Sequence, residues 1–244
     1  MIENKKLEYG YFINIAFCII IGIASLYFMT ADVSSYITKT TASVLFVLCG
    51  VVNLLYCLKA KALGNLKFMI FMVIGLFFAM LGDVLLIDYF VIGAALFAVG
   101  HVFYFIAFCF IAKFKLRDII AFLIIFVPAL LLILLYPKFE FGGMQALVIV
   151  YALIISLMLG KAISNIFGKS NRLVNIIIAL GALMFFLSDL MLLFNVFANM
   201  PYIYDITCIA LYYPAEFVLA FTVFLVGFKY NNSDDKKIAK TEYN

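Results

Sequence analysis

Residues 67–87, KFMIFMVIGLFFAMLGDVLLI, decide the fold: a lysine opens an apolar run that is interrupted only near its end, by Asp83. About 20 such residues make a helix of about 30 Å, the thickness of the hydrocarbon core of a bilayer. Seven further runs of the same kind lie at 11–30, 40–58, 90–112, 119–136, 142–160, 173–196 and 203–228. They are continuous rather than alternating in polarity, which excludes a β-barrel. The expectation is an all-α, polytopic transmembrane bundle of eight helices, one membrane domain over residues 1–230.

Composition agrees with this. Of 244 residues, 68% are hydrophobic and 12% charged, against about 45–50% and about 25% in soluble domains. Eight spans leave no length for a separate soluble domain. Lys5 and Lys6 ahead of the first run imitate a signal peptide, but the run is long and lacks an A-x-A-like cleavage site, so it reads as helix 1. Residues 231–244, NNSDDKKIAKTEYN, are polar and mixed in charge, and read as a disordered cytoplasmic tail.

The net charge of +4 reflects topology, not affinity for nucleic acid. Alternate connections carry Lys5 and Lys6; Lys59, Lys61 and Lys67; Lys113, Lys115 and Arg117; Lys161, Lys169 and Arg172; and Lys229, Lys236, Lys237 and Lys240, leaving only Lys39 and Lys138 on the other side. The positive-inside rule then puts both termini in the cytoplasm, in the inner membrane of a bacterium, with anionic lipid attracting the basic loops. Trp is absent, so Tyr36, Tyr89, Tyr136, Tyr202 and Tyr204 fill the interfacial aromatic role at the outer boundary. Five scattered cysteines without a C-x-x-C spacing suggest packing rather than a disulfide framework or a metal site.

The informative residues are those that a membrane penalises. An ionised Asp at a helix centre costs about 2.5–3.5 kcal/mol on insertion scales, so Asp83 in MLGDVLLID and Asp189 in FLSDLMLLFN each need a cavity, a partner or a proton. Counted up from Lys67 and Arg172, both stand about 24–26 Å above the cytoplasmic side. A shift of 106 residues pairs Gly75 with Gly181, Leu81 with Leu187, Asp83 with Asp189 and Leu86 with Leu192. That pattern fits two parallel four-helix repeats related by a pseudo-twofold axis along the membrane normal, which would bring the acids together. Two carboxylates at one depth can share a proton and so supply a general acid and a general base. The plainer reading is that each Asp caps its helix, binds a neighbouring Tyr or faces water.

His101, in FAVGHVFYFIAF, is the only histidine and counts to near the midplane, roughly a dozen ångströms below the Asp level. Contact with Asp83 then requires a tilted or broken helix, and a carbonyl or Tyr partner serves equally well. A single His also argues against a zinc hydrolase, which needs about three protein ligands. Helix 8 carries Tyr212, Tyr213, Pro214 and Glu216 in ALYYPAEFVLAF: Tyr213 level with Asp189, Glu216 a turn deeper, and Pro214 able to free a carbonyl beside a cavity. Ser188, Asn53, Gln145 and Asn195 supply hydrogen bonds, in a pocket or between helices.

LGDVLL closing helix 3, GHVFYFIAF in helix 4, LSDLMLLFN closing helix 7 and YYPAEF in helix 8, in this order, resemble the YhhN-like family of membrane proteins, which includes the vertebrate lysoplasmalogenases. The resemblance implies hydrolysis of the vinyl ether bond of a lysoplasmalogen, a lysophospholipid, to a fatty aldehyde and a glycerophospho-alcohol. It carries the family's intramembrane aspartates onto Asp83 and Asp189 as catalytic residues. It also carries the family's helix 4 His onto His101 and its helix 8 aromatic pair onto Tyr212 and Tyr213; with Tyr104, Ser188 and Glu216, the last standing where Gln is expected in the family, these are the substrate-binding or supporting candidates. The chemistry needs no cofactor: an acid protonates the enol ether, and a carboxylate steadies the oxocarbenium ion and activates water, as in glycosidases. Two other classes use the same features. A small transporter or solute-binding protein would exchange protons or cations on these acids, and a structural membrane protein would lose little on their replacement by Asn.

Overall fold

The computed structural model describes residues 2–30, 36–86 and 88–230. All the regular structure among them is helical: α1 (Ile2–Thr30), α2 (Tyr36–Ala60), α3 (Leu66–Leu85), α4 (Phe90–Cys109), α5 (Leu116–Leu135), α6 (Gln145–Ile166), α7 (Arg172–Ala198) and α8 (Ile203–Lys229). Each is long and apolar enough to cross a membrane, and the chain is a multi-pass integral membrane protein. The tail at 231–244 and the side chain of Tyr36 lie outside the described residues.

Local signals set the helix ends. Asn65 and Asn171 cap α3 and α7, their side chains accepting from the N–H groups of Phe68 and Val174, which satisfies donors that a helix start leaves unpaired. Asn199 closes α7 in the left-handed region, at φ 46°, a conformation Asn tolerates better than most residues. α1 begins nine residues ahead of the expected run, at Ile2, and α6 continues past residue 160 to Ile166. Lys161 is therefore not in a loop. It is buried in the helix, its ammonium 2.9 Å from Asp118 Oδ2 and 3.1 Å from the Lys113 carbonyl oxygen. A buried ammonium with these two acceptors no longer needs water, so nothing ends the helix there.

α8 is the most enclosed helix and packs on α1, α2, α3 and α7, whereas α5 is the least enclosed and packs on α6 alone. Lipid is as apolar as a leucine side chain, so these seams depend on close backbone approach and on polar bonds between helices. At the α3–α4 seam, a Cβ on Gly93 would stand 2.9 Å from the Gly82 carbonyl oxygen and one on Gly100 3.1 Å from that of Gly75; the two backbones nearly touch. Across α1, α2 and α8, Asn14 and Asn53 exchange amide hydrogen bonds of 2.9 and 2.8 Å, and Asn53 also donates to the Ala220 carbonyl.

Under a shift of four helices, the neighbour pairs α1·α2, α2·α3, α3·α4 and α2·α8 have the counterparts α5·α6, α6·α7, α7·α8 and α6·α4. The packing of α8 on α1 and on α3 has no counterpart among the described residues. The packing does not show the four-helix repeat. Its asymmetry nonetheless has a consequence: where α3 meets α8 in one half, α4 and α7 stand apart in the other.

Candidate functional site

Asp83 ends α3 in a tight set of partners. Its Oδ1 lies 3.1 Å from the ammonium of Lys39 on α2. Its Oδ2 accepts from the hydroxyl of Ser43, one turn further along α2, and from Tyr213 on α8 at 3.2 Å. The carboxylate is 4% exposed, so the Lys39 cation and the two hydroxyls replace the solvation that burial removes.

Asp189 has a different environment. Its Oδ2 accepts from the phenol of Tyr151 on α6 at 2.6 Å, and that phenol oxygen lies 2.9 Å from His101 Nε2 on α4. His101 Nε2 is also 3.5 Å from Asp189 Oδ2. The imidazole stands edge-on to Phe185, ring centres 4.6 Å apart, and its Nδ1 has no hydrogen-bond partner among the described residues. Three helices thus contribute one residue each to a chain from Asp189 through Tyr151 to His101.

Between the two aspartates lie the helix 8 residues and Tyr104. Glu216 is fully buried and its Oε2 accepts from the Tyr104 hydroxyl at 2.7 Å, while Glu216 Oε1 and the Tyr212 hydroxyl lack hydrogen-bond partners among the described residues. The Tyr212 ring packs among Phe46, Phe97, Phe185 and Tyr213. Glu216 is within electrostatic range of both Asp83 and Asp189. Among the described residues no hydrogen bond joins Asp83 to Asp189. Ser188 donates to the Cys208 carbonyl at 2.9 Å and so bonds α7 to α8. α8 runs unbroken through Pro214.

The helix registers set the two acids at one level. α2 and α8 are offset by 167 residues, with Asn53 at the Ala220 carbonyl and Cys57 at the Phe224 carbonyl. The same offset sets Ser43, the partner of Asp83, beside Ala210, while Ser188, next to Asp189, reaches Cys208. The two acids therefore stand within about one helical turn of each other in depth. The dozen-ångström gap expected between His101 and the Asp level is bridged at Asp189. Asp189 is nine residues from the end of α7 at Ala198, and His101 is eleven from the start of α4 at Phe90, so both lie about 14–17 Å inside their helices. Counting up from Arg172 misleads because α7, at 27 residues, is longer than a bilayer core is thick.

In the gap between α4 and α7 is a cavity with about 100 Å³ of room. α5 and α6 complete its wall, and its lining, including Phe90, Phe97, Leu132, Ile155 and Leu193, is apolar apart from Asp189 and Tyr151. Asp83 and Glu216 are not in that wall. Such a slot is lined for an apolar group and presents one carboxyl group to it. The sequence reading missed Tyr151, Lys39 and Ser43. A tyrosine within ALVIVYALII has no polarity signal of its own, and Lys39 reads as an ordinary flanking lysine.

The family model of the YhhN family matches residues 34–223. No curated protein and no solved structure matches the chain.

Proposed function

The chain belongs to the YhhN family, which includes lysoplasmalogenases, and from that premise we propose that it hydrolyses the vinyl ether bond of a lysoplasmalogen, releasing a fatty aldehyde and glycerophosphoethanolamine or glycerophosphocholine. The observation that carries this reading is the single carboxyl, Asp189, on the wall of an otherwise apolar slot. The alkenyl chain occupies the slot, which brings the enol ether to Asp189.

Asp189 gives its proton to the β-carbon: the O–H bond breaks, a C–H bond forms, and the ether oxygen shares the positive charge left on the α-carbon. Water then adds to the α-carbon and its proton returns to the Asp189 carboxylate. The hemiacetal collapses as its hydroxyl proton passes to the departing alcohol oxygen. Atoms balance as vinyl ether plus water giving aldehyde plus alcohol. Asp83, paired with Lys39 at the same depth, suits the second role, a carboxylate that favours the cationic intermediate through space. Positioned acid–base catalysis of this type contributes about 10²–10⁴-fold. The lysine distribution sets this site toward the outer leaflet of a bacterial inner membrane, with both termini cytoplasmic.

The test is aldehyde release by detergent-solubilised protein from matched vinyl ether, alkyl ether and ester lysophospholipids. Only the vinyl ether reacts, and in ¹⁸O-labelled water the label enters the aldehyde and never the glycerophospho-alcohol. Cleavage of the ester or alkyl ether, or label in the alcohol, contradicts the reading. Solubilised protein has no gradient to use, so turnover there also separates a hydrolase from a transporter.

A further inference from the structure

Tyr151 lies on the cavity wall, and among the described residues it is the one that touches both Asp189 and His101 through one atom, its phenol oxygen, at 2.6 and 2.9 Å. We infer that Tyr151 is a relay that shares one proton between Asp189 and His101, making the buried histidine the proton reserve of the cavity carboxyl. As a step in catalysis this rests on the vinyl ether reading; as a property of the three side chains it does not.

The chain has two arrangements with the same number of protons. In one, the Asp189 carboxyl donates to the Tyr151 oxygen, and the Tyr151 hydroxyl donates to Nε2 of a neutral His101 that carries its hydrogen on Nδ1. In the other, each proton has moved one place: His101 Nε2–H donates to the Tyr151 oxygen, and Tyr151 donates to an Asp189 carboxylate that faces an imidazolium. No proton enters or leaves, and Tyr151 is neutral in both. A phenol suits this position because one oxygen both donates and accepts, and a low-dielectric site strengthens such aligned bonds. The surroundings of His101 favour exchange through Nε2: Phe185 stands edge-on to the ring, the Tyr104 ring lies beyond at 6.3 Å, and Nδ1 has no partner among the described residues. Once Asp189 has given its proton to carbon, the Tyr151 hydroxyl turns from Nε2 to the resulting carboxylate and holds it in place until water returns a proton. Tyr151 and His101 therefore act on the reacting carbons through Asp189, as positioning residues.

The sole histidine among 244 residues makes the test direct. Full-length protein labelled with ¹⁵N in its imidazole gives one pair of ring-nitrogen signals, which report charge and tautomer. Asp189→Asn, which can hold no transferable proton, shifts the Nε2 signal of the wild-type chain and leaves it nearly unmoved in the Tyr151→Phe background. An equal shift in both backgrounds overturns the relay, because the 3.5 Å approach of His101 to Asp189 would then carry the coupling alone. Tyr151→Phe keeps the ring that packs against His101, so the fold survives the substitution. On a vinyl ether lysophospholipid, Tyr151→Phe and His101→Gln each lower kcat about 10- to 100-fold with KM within about twofold, and the double variant loses no more than either single one. Unchanged kcat, or additive losses, overturns the relay. If the wild-type protein releases no aldehyde, the vinyl ether reading fails and the nitrogen signals alone decide the relay.

Discussion

Replacing Lys161 with Met tests how the end of the bundle that carries the α4–α5 connection is held. The ammonium lies 2.9 Å from Asp118 Oδ2, 3.1 Å from the Lys113 carbonyl oxygen and 5.8 Å from the centre of the Phe114 ring. Both charged side chains are 1% exposed. The Lys115 N–H also donates to Asp118 Oδ2, at 2.6 Å, so one carboxylate joins the α4–α5 connection to α6. Met has nearly the length of the lysine stem but no charge, so Lys161→Met strands a buried carboxylate. Breaking such a pair from one side costs about 3–5 kcal/mol, or roughly two to three and a half orders of magnitude in the unfolding constant. Removing both charges, as Lys161→Met with Asp118→Leu, also removes the desolvation penalty and restores most of the loss. Unfolding in mixed micelles titrated with sodium dodecyl sulfate reads all three free energies. A loss below about 1 kcal/mol for Lys161→Met, the level of a surface pair, refutes the reasoning, as does a double variant less stable than the single one.

Three further outcomes are expected. Ala152→Phe pushes a ring into the cavity that Ala152 lines, and lowers kcat/KM at least about tenfold for long-chain substrates by excluding the chain; the check is the same assay run across chain lengths. Gly75→Val sets a branched side chain where a Cβ alone would be 2.4 Å from the Tyr104 ring, and the overpacking costs about 1–3 kcal/mol, read as a lower melting temperature in detergent. Val91→Cys, at a position 51% exposed just inside the start of α4, reacts with an impermeant thiol reagent from outside intact cells in a chain lacking the five native cysteines. Labelling only after the membrane is opened inverts the topology.

The eight spans could be read from sequence because an apolar run of about 20 residues has few other uses. Asp83, Asp189, His101 and Glu216 stood out for the complementary reason: a polar group in such a run is costly enough to need a cause. Polarity identifies a residue but not its partner. Lys39 and Lys161 both read as topology signals, yet each is half of an ion pair inside the bundle, with Asp83 and Asp118. Tyr151 is one of 15 tyrosines, and only the meeting of α4, α6 and α7 distinguishes it. Counting helical rise set the two aspartates at one level but left His101 roughly a dozen ångströms from Asp189, because α7, at 27 residues, is longer than a bilayer core is thick; the partners of the two acids depend on side-chain packing between helices.

The central claim is that Asp189 is the acid that protonates the vinyl ether. Asn at this position keeps the size of the side chain and an oxygen for the Tyr151 hydroxyl, and removes only the transferable proton. The decisive measurement is the rate of aldehyde release from a vinyl ether lysophospholipid by purified wild-type protein and by an Asp189→Asn variant of equal melting temperature. The wild type turns over and the variant is slower by about 10²-fold or more; equal rates, or no aldehyde from the wild type, contradict the account.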